Sequence, residues 1–543
     1  MSTPNTTPDR LSFLSSKSAD LKRFFRSTVT SADRHIISQF LLDAEKELKG
    51  CQAEINRLRS AIHLLENRRN GLKKTTEKCH SLLLPVHRLP PEILMNIFLF
   101  CCETNDLDTP TCVPAALQVV KVCGHWRNVG LSTPSLWSSI RIVLEPWVGK
   151  AGSLVDLTEI FMERSKNSPL DLQVEFYSTT EIEPLDRETD EHVLTPAIAA
   201  LSHNCARWRS MSLRIPKLFG THQNLFFGIV RGQTLPLLRS LRLYGFGVHD
   251  PRNALPDNLP GLFSRCPSLR TTDIGPDRYL GEKLALPWHQ IKSLTIQNSL
   301  PRPAFSSIAL HYRLEELTLL KVGGHSNRGY TGHVVSNIKT MSVLFRSQDD
   351  VDTTLVYLTL SGLTTLRLAA DLKKLASWGA WEESSSLDMI DRSACSLTSL
   401  VIRHIPITDR QLITLLERLP TLSNLQLEEV PGRVPNAMVT GRFLRRLTVD
   451  HENSDFQSGS TFLPALTDIT LVIREEGLVE QEIFDVVSSR RIPDPIEAKE
   501  VGVKCLQSFR ITVMSRDIKE DRLSSLDCFR DDGLRLTVAH RRL

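Results

Sequence analysis

The sequence predicts an α/β protein that begins with a long helix and continues as an array of short strands and helices. Apolar residues recur every seven positions within residues 31–80, which is the period of a long amphipathic helix. Further along, the pattern L-x-x-L-x-L returns about every 22 to 34 residues, with other apolar residues replacing some leucines. Repeats of this length stack into a solenoid, in which a curved parallel sheet is covered by outer helices.

The composition is that of a folded protein with little net charge. Of 543 residues, 41% are hydrophobic and 24% are charged, and the net charge is +4. This balance argues against nucleic acid as a partner, and the lack of a run of about 18 apolar residues argues against a membrane span. The eleven cysteines form no C-x-x-C pair, which is typical of a reducing compartment, so we expect a cytoplasmic or nuclear protein.

The sequence predicts neither a cofactor nor a metal. The cluster of Cys101, Cys102, Cys112, Cys123 and His125 raises the question of zinc, but its spacing matches no usual zinc site. Helix packing accounts for these cysteines as small core residues.

The N-terminal region contains two predicted segments. Residues 1–30 are rich in Ser and Thr and are predicted to be disordered. Residues 31–80 are predicted to form one long helix whose heptads are interrupted at Arg69. Two interpretations remain open: a coiled coil through which copies self-associate, and a helix that packs on the following segments. The apolar heptad positions are Leu41, Leu48, Ile55 and Ile62 at a, and Ala44, Cys51, Leu58, Leu65 and Leu72 at d.

Residues 81–140 are predicted to form three short helices. Pro90 and Pro91 favour a helix start, because proline fits the first helical turn and has no N–H to leave unpaired. Apolar residues from 93 to 101 then lie on one helix face. A polar loop at 105–114, a second helix at 115–122 and a third turn ended by Gly130 complete the segment.

This segment resembles the F-box. Four motifs occur in the order and spacing of that family, over about 50 residues: L-P-P-E, I-F, V-C-G-H-W and S-L-W. The loop before Pro114 is longer than in many members. The resemblance implies binding to the small adaptor subunit of a cullin–RING ubiquitin ligase and, through it, to a cullin; the alternative is an ordinary three-helix core segment. The residues implied in adaptor binding are Leu89, Pro90, Pro91, Glu92, Ile93, Leu94, Ile97, Phe98, Val122, Cys123, Trp126, Leu136 and Trp137.

Residues 141–543 are predicted to form the solenoid. They resemble the leucine-rich repeats that commonly follow an F-box, although a non-repeating α/β domain is the alternative. Strands are also expected at Ser139–Leu144 and Leu170–Phe176, with helices at 154–164 and 194–202. The first residues of the repeat matches are Trp208, Leu238, Leu269, Ile291, Leu314, Ile338, Leu363, Leu397, Leu422, Leu444, Leu466 and Leu506.

Residues between the repeat leucines should project from the opposite face of each strand. They share no charge sign, which is typical of a protein-recognition surface or of plain solvation. The outward positions are Arg242, Tyr244, Gln297, Arg367, Arg403, Gln426, Glu428, Asp450 and Arg510, of which Arg403, Gln426, Glu428 and Asp450 are the predicted target-binding residues.

The sequence does not predict an enzyme. It lacks the motifs of serine hydrolases, P-loop nucleotide sites and zinc proteases, and the glycine-rich stretch 323–332 is predicted to be a loop between repeats. We therefore expect the substrate-recognition subunit of an SCF-type ubiquitin ligase, which holds a target near chemistry supplied by other subunits. The alternative is a scaffold that uses its coiled coil and repeats for protein–protein interaction without ubiquitin transfer.

Overall fold

The structure is a computed structural model. The chain forms two compact units, Met1–Ile93 and Leu94–Leu543. This division does not coincide with the predicted boundaries at residues 80 and 140. The predicted disordered segment lies almost entirely outside the described residues, as does most of the glycine-rich stretch 323–332. The described residues are 28–107, 113–144, 151–176, 195–214, 221–244, 261–275, 285–299, 304–305, 308–309, 313–323, 333–378, 381–431, 437–451, 461–477, 479–515 and 523–542.

The first unit contains the predicted long helix, α1 (Ser31–Leu82), which has 52 residues. Thr30 begins it with a capping box: its hydroxyl accepts a hydrogen bond from the Asp33 N–H, and the Asp33 carboxylate accepts one from the Thr30 N–H at 2.8 Å. These bonds satisfy backbone donors that have no partner in the first turn. The heptad pattern therefore predicted this helix correctly.

The second unit is built on a parallel sheet of 15 strands whose spatial order follows the chain. Each strand pairs with the next one in the sheet, as expected when successive repeats stack. Strands β9 and β11 lie outside it and pair with each other. The strands are β1 (Asn105–Asp106), β2 (Ser139–Leu144), β3 (Leu170–Phe176), β4 (Trp208–Arg214), β5 (Ser240–Tyr244), β6 (Thr271–Ile274), β7 (Ser293–Gln297), β8 (Glu316–Leu320), β9 (Val334–Val335), β10 (Thr340–Phe345), β11 (Leu358–Thr359), β12 (Thr365–Ala370), β13 (Ser399–Arg403), β14 (Asn424–Glu428), β15 (Asp468–Arg474), β16 (Ser508–Ser515) and β17 (Arg535–Arg542).

Helices occupy the stretches between many strands. The predicted helices at 154–164 and 194–202 are confirmed, the first with wider bounds and the second shifted by one residue. In the described part of the chain, no helix combines the length and the apolarity that crossing a membrane requires. The α-helices of four or more residues that the structure describes after α1 are α2 (Pro91–Cys101), α3 (Ala115–Val119), α4 (Gly124–Leu131), α5 (Ala151–Ser165), α6 (Thr195–His203), α7 (Thr221–Val230), α8 (Gln348–Leu355), α9 (Ser384–Ser393), α10 (Asp409–Glu417), α11 (Gly441–Leu447), α12 (Glu480–Arg490), α13 (Pro495–Val501) and α14 (Cys528–Asp531).

The repeat leucines form the core because they occupy the same position in successive strands. In β5, Leu241 and Leu243 are buried while Arg242 between them is exposed. Leu241 pairs with Thr272 of β6, which pairs with Leu294 of β7, so the buried positions align across the sheet. Side chains alternate between the two faces of a strand, and this alignment keeps the same face buried from strand to strand.

One repeat match is wrong as a strand. Leu444 and Leu447 lie in α11 and not in the sheet, where β14 pairs directly with β15. The spacing of three residues between these leucines fits a helix turn as well as it fits the repeat. Thr440 favours the helix because it caps the N-terminus: its hydroxyl accepts a hydrogen bond from the Phe443 N–H at 3.4 Å.

The predicted loop at 105–114 and the predicted role of Gly130 also need correction. Asn105–Asp106 is a strand at the edge of the sheet and pairs with β2, while residues 108–112 lie outside the described part of the chain. Gly130 lies inside α4 and does not end it. A Cβ at this position would lie 2.6 Å from the Val120 side chain, so glycine allows α4 to approach that residue closely.

Candidate protein-binding surfaces

The apolar residues of α2 divide between two faces of the helix. Leu94, Phe98 and Cys102 recur every four residues and are buried. Ile97 and Phe100, three residues apart, remain 38% and 80% exposed. The prediction of a single apolar face was therefore too simple, because some apolar residues of α2 are buried and others stay exposed.

Helix α4 is fixed against α2 by residues of the third predicted motif. The Cys123 sulfur accepts a hydrogen bond from the Trp126 N–H at 3.4 Å and so caps the start of α4. The Trp126 ring then packs on Phe98, with 4.9 Å between ring centroids. Val122, which precedes the cap, stays exposed. Cys123 and Trp126 are thus half-buried structural residues, and Val122 is the member of this motif most open to a partner.

In the last predicted motif, S-L-W, the two apolar residues lie in the core, whereas Ser135 is exposed. Leu136 and Trp137 are fully buried. The Trp137 indole N–H donates to the Gly130 carbonyl at 2.9 Å, and its ring meets Phe161 of α5 edge-on at 5.1 Å. The Arg164 guanidinium covers the same ring at 4.5 Å. These residues, like buried Leu94 and Phe98, support the segment and expose almost no surface in this structure, and their predicted role in adaptor binding stays a prediction.

Asn105 is a buried residue whose hydrogen bonds join three segments, a role that the sequence did not predict. Its amide nitrogen donates to the carbonyls of Leu136 and Ser139 at 2.9 and 3.1 Å, and its amide oxygen accepts from the Ala116 N–H at 2.9 Å. One fully buried side chain thus joins the start of α3, the turn at Pro134–Trp137 and strand β2. An asparagine beside a polar loop gives no sequence signal for this role.

The other predicted adaptor-binding residues belong to the first unit. Leu89 is half-buried and follows a short turn at Pro85–Arg88, where its N–H donates to the Val86 carbonyl at 3.4 Å. The remaining four residues are exposed, which leaves them accessible to a partner. They are Pro90, Pro91, Glu92 and Ile93.

The outward face of the sheet is charged over its first strands. Arg141 bridges Asp106 at 2.8 Å and Glu175 at 3.0 Å, and Glu175 also meets Arg214 at 3.3 Å. Burial lowers the pKa of Arg141, but its hydrogen bonds with Glu175 and Asp106 and their charges outweigh burial and leave the pKa above its ordinary value. These side chains are held by one another, so they form a fixed pattern of charges rather than a freely solvated surface.

The middle of this face carries no charge in two adjacent rows of residues across strands β7, β8 and β10. Thr295, Thr318 and Ser342 lie in one row, one residue each from β7, β8 and β10. Leu320 and Leu344 pair in the next row and remain half-exposed. Leucines on the outward side of a sheet are not explained by its core. This uncharged band, defined as Thr295, Gln297, Thr318, Leu320, Ser342 and Leu344, is therefore a candidate for apolar contact with another protein. It ends at Arg367 of β12, which pairs with Ser342.

The predicted target-binding residues lie beyond this band. Arg403 and Glu428 are neighbours on β13 and β14 and pair at 3.4 Å. Glu428 also meets His404 at 3.3 Å and Arg541 of β17 at 3.6 Å, and Gln426 lies half-buried in the adjacent row. Asp450 is exposed but follows helix α11, so the prediction that it lies on a strand is wrong.

No protein-family model matches the chain, and no curated protein matches it. Across the described residues, no group of three or more His, Cys, Asp and Glu side chains could hold a metal ion; Cys112 lies outside them. The geometry of the two surfaces is therefore the basis for the functional argument.

Proposed function

We propose that the chain is a substrate-receptor subunit of a cullin–RING ubiquitin ligase, an F-box protein with C-terminal leucine-rich repeats. The observation that carries the proposal is the exposed apolar set on α2 and its neighbours. Phe100 is 80% exposed although burying a phenylalanine contributes about 1.5–3 kcal/mol. Ile97 and Val122 are exposed as well. Apolar side chains kept open on a well-packed segment are typical of a protein interface.

The internal bonding of the segment supports the same proposal. Side-chain hydrogen bonds of Asn105, Cys123 and Trp137 hold α3, α4 and the following turn in place. A rigid support of this kind lowers the entropy lost when a partner binds. In the proposed complex, the small adaptor subunit covers the exposed apolar residues, and the buried ones hold them in position.

The proposed role of the sheet is target binding. A parallel sheet of 15 strands offers a long outward face, and its uncharged band lies between two sets of paired charges. Apolar contact would supply binding energy in the band, while the flanking charges would select and orient the target. The chain contributes proximity and no chemistry of its own.

The first experiment tests adaptor binding by full-length variants. Phe100→Ala and Ile97→Ala are each expected to weaken capture of the small adaptor subunit by about thirtyfold, which corresponds to roughly 2 kcal/mol per anchor. Val335→Ala is the matched control, because Val335 is 73% exposed in a different part of the second unit. Undiminished capture by folded Phe100→Ala protein would contradict the proposal.

The second experiment tests the uncharged band. Thr318→Arg places a long cation in the middle of the band, between Thr295 and Ser342, and is expected to abolish binding of target proteins while leaving adaptor binding intact. Ser488→Arg introduces the same side chain at an exposed position of α12 and should change neither target binding nor adaptor binding. Partners are compared by proximity labelling, and identical partner sets for the two variants would remove the band from the recognition surface.

An alternative function is a scaffold that binds partners without ubiquitin transfer. The exposed heptad positions of α1 favour it, because they offer a second interaction surface. Failure of the wild-type chain to capture the adaptor subunit would favour this alternative.

A further inference from the structure

The heptad positions of α1 form an exposed apolar seam, defined as Leu48, Ile55, Leu58, Ile62 and Leu65 with Leu41 and Leu72 at its ends. Their exposed fractions run from 44% at Ile55 to 69% at Leu48. The helix is 52 residues long, or about 78 Å at 1.5 Å per residue. Apolar residues at a and d over four heptads are the feature that drives two helices together in water.

The charges along α1 are strongly asymmetric. Residues 31–54 contain five acidic and three basic side chains, whereas residues 55–82 contain seven basic and two acidic ones. A second copy of the helix in the same direction would place the basic half beside another basic half. A copy in the opposite direction places the acidic half of each helix beside the basic half of the other.

We propose that two copies of this chain associate through α1 as an antiparallel coiled coil with Ile55 facing Leu65 of the second copy. This register also places Leu58 against Ile62 and Leu48 against Leu72, so the apolar seam is covered along most of its length. The inference does not depend on the proposed ligase function, because it concerns a surface of the first unit alone.

The flanking charges select this register. At the positions beside the seam, Glu45 meets Lys73 of the second copy, and Glu54 meets Arg68 of the second copy. Each pair occurs twice by symmetry. Within one helix, Glu54 already bonds Arg57 at 2.7 Å, so Arg68 would join an existing ion pair. The like-charged contact in this register is that of Arg59 with its own symmetry mate.

In a parallel pair of helices, the same charged residues form less favourable contacts. There, Glu54 would meet Arg59, but Arg68 would meet Lys73, and the two charges repel. Arg69 occupies an a position and would face Arg69 of the second copy inside the seam, where an unpaired charge is costly. In the antiparallel register Arg69 faces Cys51, which carries no charge at neutral pH.

The first test uses chemical cross-linking of the full-length protein. Lys49 and Lys73 are separated by about 36 Å along one helix, too far for a short amine-reactive cross-linker to join them within a chain or across a parallel pair. In the antiparallel register they lie beside each other on two copies. A Lys49–Lys73 cross-linked peptide from the dimer fraction is expected, and its absence from a dimer that does form would overturn the proposal.

The second test uses charge reversal and sedimentation at low salt, where surface charges are least screened. Lys73→Glu is expected to weaken the dimer roughly tenfold, because two attractive pairs become repulsive. Adding Glu45→Lys should restore it. In a parallel pair, Lys73→Glu would instead create attraction to Arg68 and tighten the dimer. Tightening, or a wild-type chain that remains monomeric at all concentrations, would refute the antiparallel dimer.

Discussion

Asn105 provides the sharpest test of how helix α3, the turn at Pro134–Trp137 and strand β2 are held together. The change to alanine removes three hydrogen bonds of 2.9, 3.1 and 2.9 Å at a site with no solvent exposure. A buried bond contributes about 1 kcal/mol net, so the expected loss is about 3 kcal/mol of local stability. This corresponds to about a hundredfold increase in local opening.

The assay is native-state hydrogen exchange of the full-length protein, read from peptides that cover α3 and β2. Faster exchange is expected there first, because Ala116 loses its acceptor and two carbonyls lose their donor. Asn105→Asp keeps the side-chain volume but places a carboxylate beside the carbonyls of Leu136 and Ser139, so its effect should be at least as large.

The matched control is Asn128→Ala, which changes an exposed asparagine on α4. Its effect should stay within about 0.5 kcal/mol, as for other surface substitutions. Equal exchange rates in the Asn105 and Asn128 variants would contradict this role of Asn105. They would show that its buried hydrogen bonds stabilise the folded state no more than hydrogen bonds to water stabilise the unfolded state.

Two further predictions concern other positions of the second unit. Gly323→Ala should destabilise the unit by about 2 kcal/mol or more, because Gly323 has a φ of +155° and a Cβ there would lie 1.8 Å from the Asp350 carboxylate. The control is Gly261→Ala, which should leave the melting temperature unchanged because no atom lies within 4 Å of the added carbon. Native alkylation at pH 8 should modify exposed Cys101 but spare Cys102 and Cys266, since burial raises the pKa of Cys102 to about 11, with the charge of Cys101 adding to it, and raises that of Cys266 to about 12. Because both values lie above the ordinary 9.0, unfolded thiols ionise first, so the stability these residues contribute is complete below pH 9 and is lost as pH rises toward 12. Equal melting temperatures of the two glycine variants, or equal labelling of Cys101 and Cys102, would contradict these predictions.

The sequence alone predicted the α/β class, the long helix and most strands. The reason is that these elements rest on local periodicity: seven residues in α1 and alternation in strands such as Ser139–Leu144 and Leu170–Phe176. The periodic signal failed where two structures share a spacing. Leu444 and Leu447 fit a repeat strand and a helix turn equally, and the cap at Thr440 decided between them.

The tertiary structure decided which residues are surface and which are core. In α2, both Phe98 and Phe100 are apolar, yet the packing of Trp126 buries the former and leaves the latter open. Likewise, the sequence marks Arg403 and Glu428 as outward residues, but their pairing depends on strand register between β13 and β14. Local sequence sets the period of an element, whereas burial and pairing depend on contacts between residues far apart in the chain, and these exist once the chain has folded.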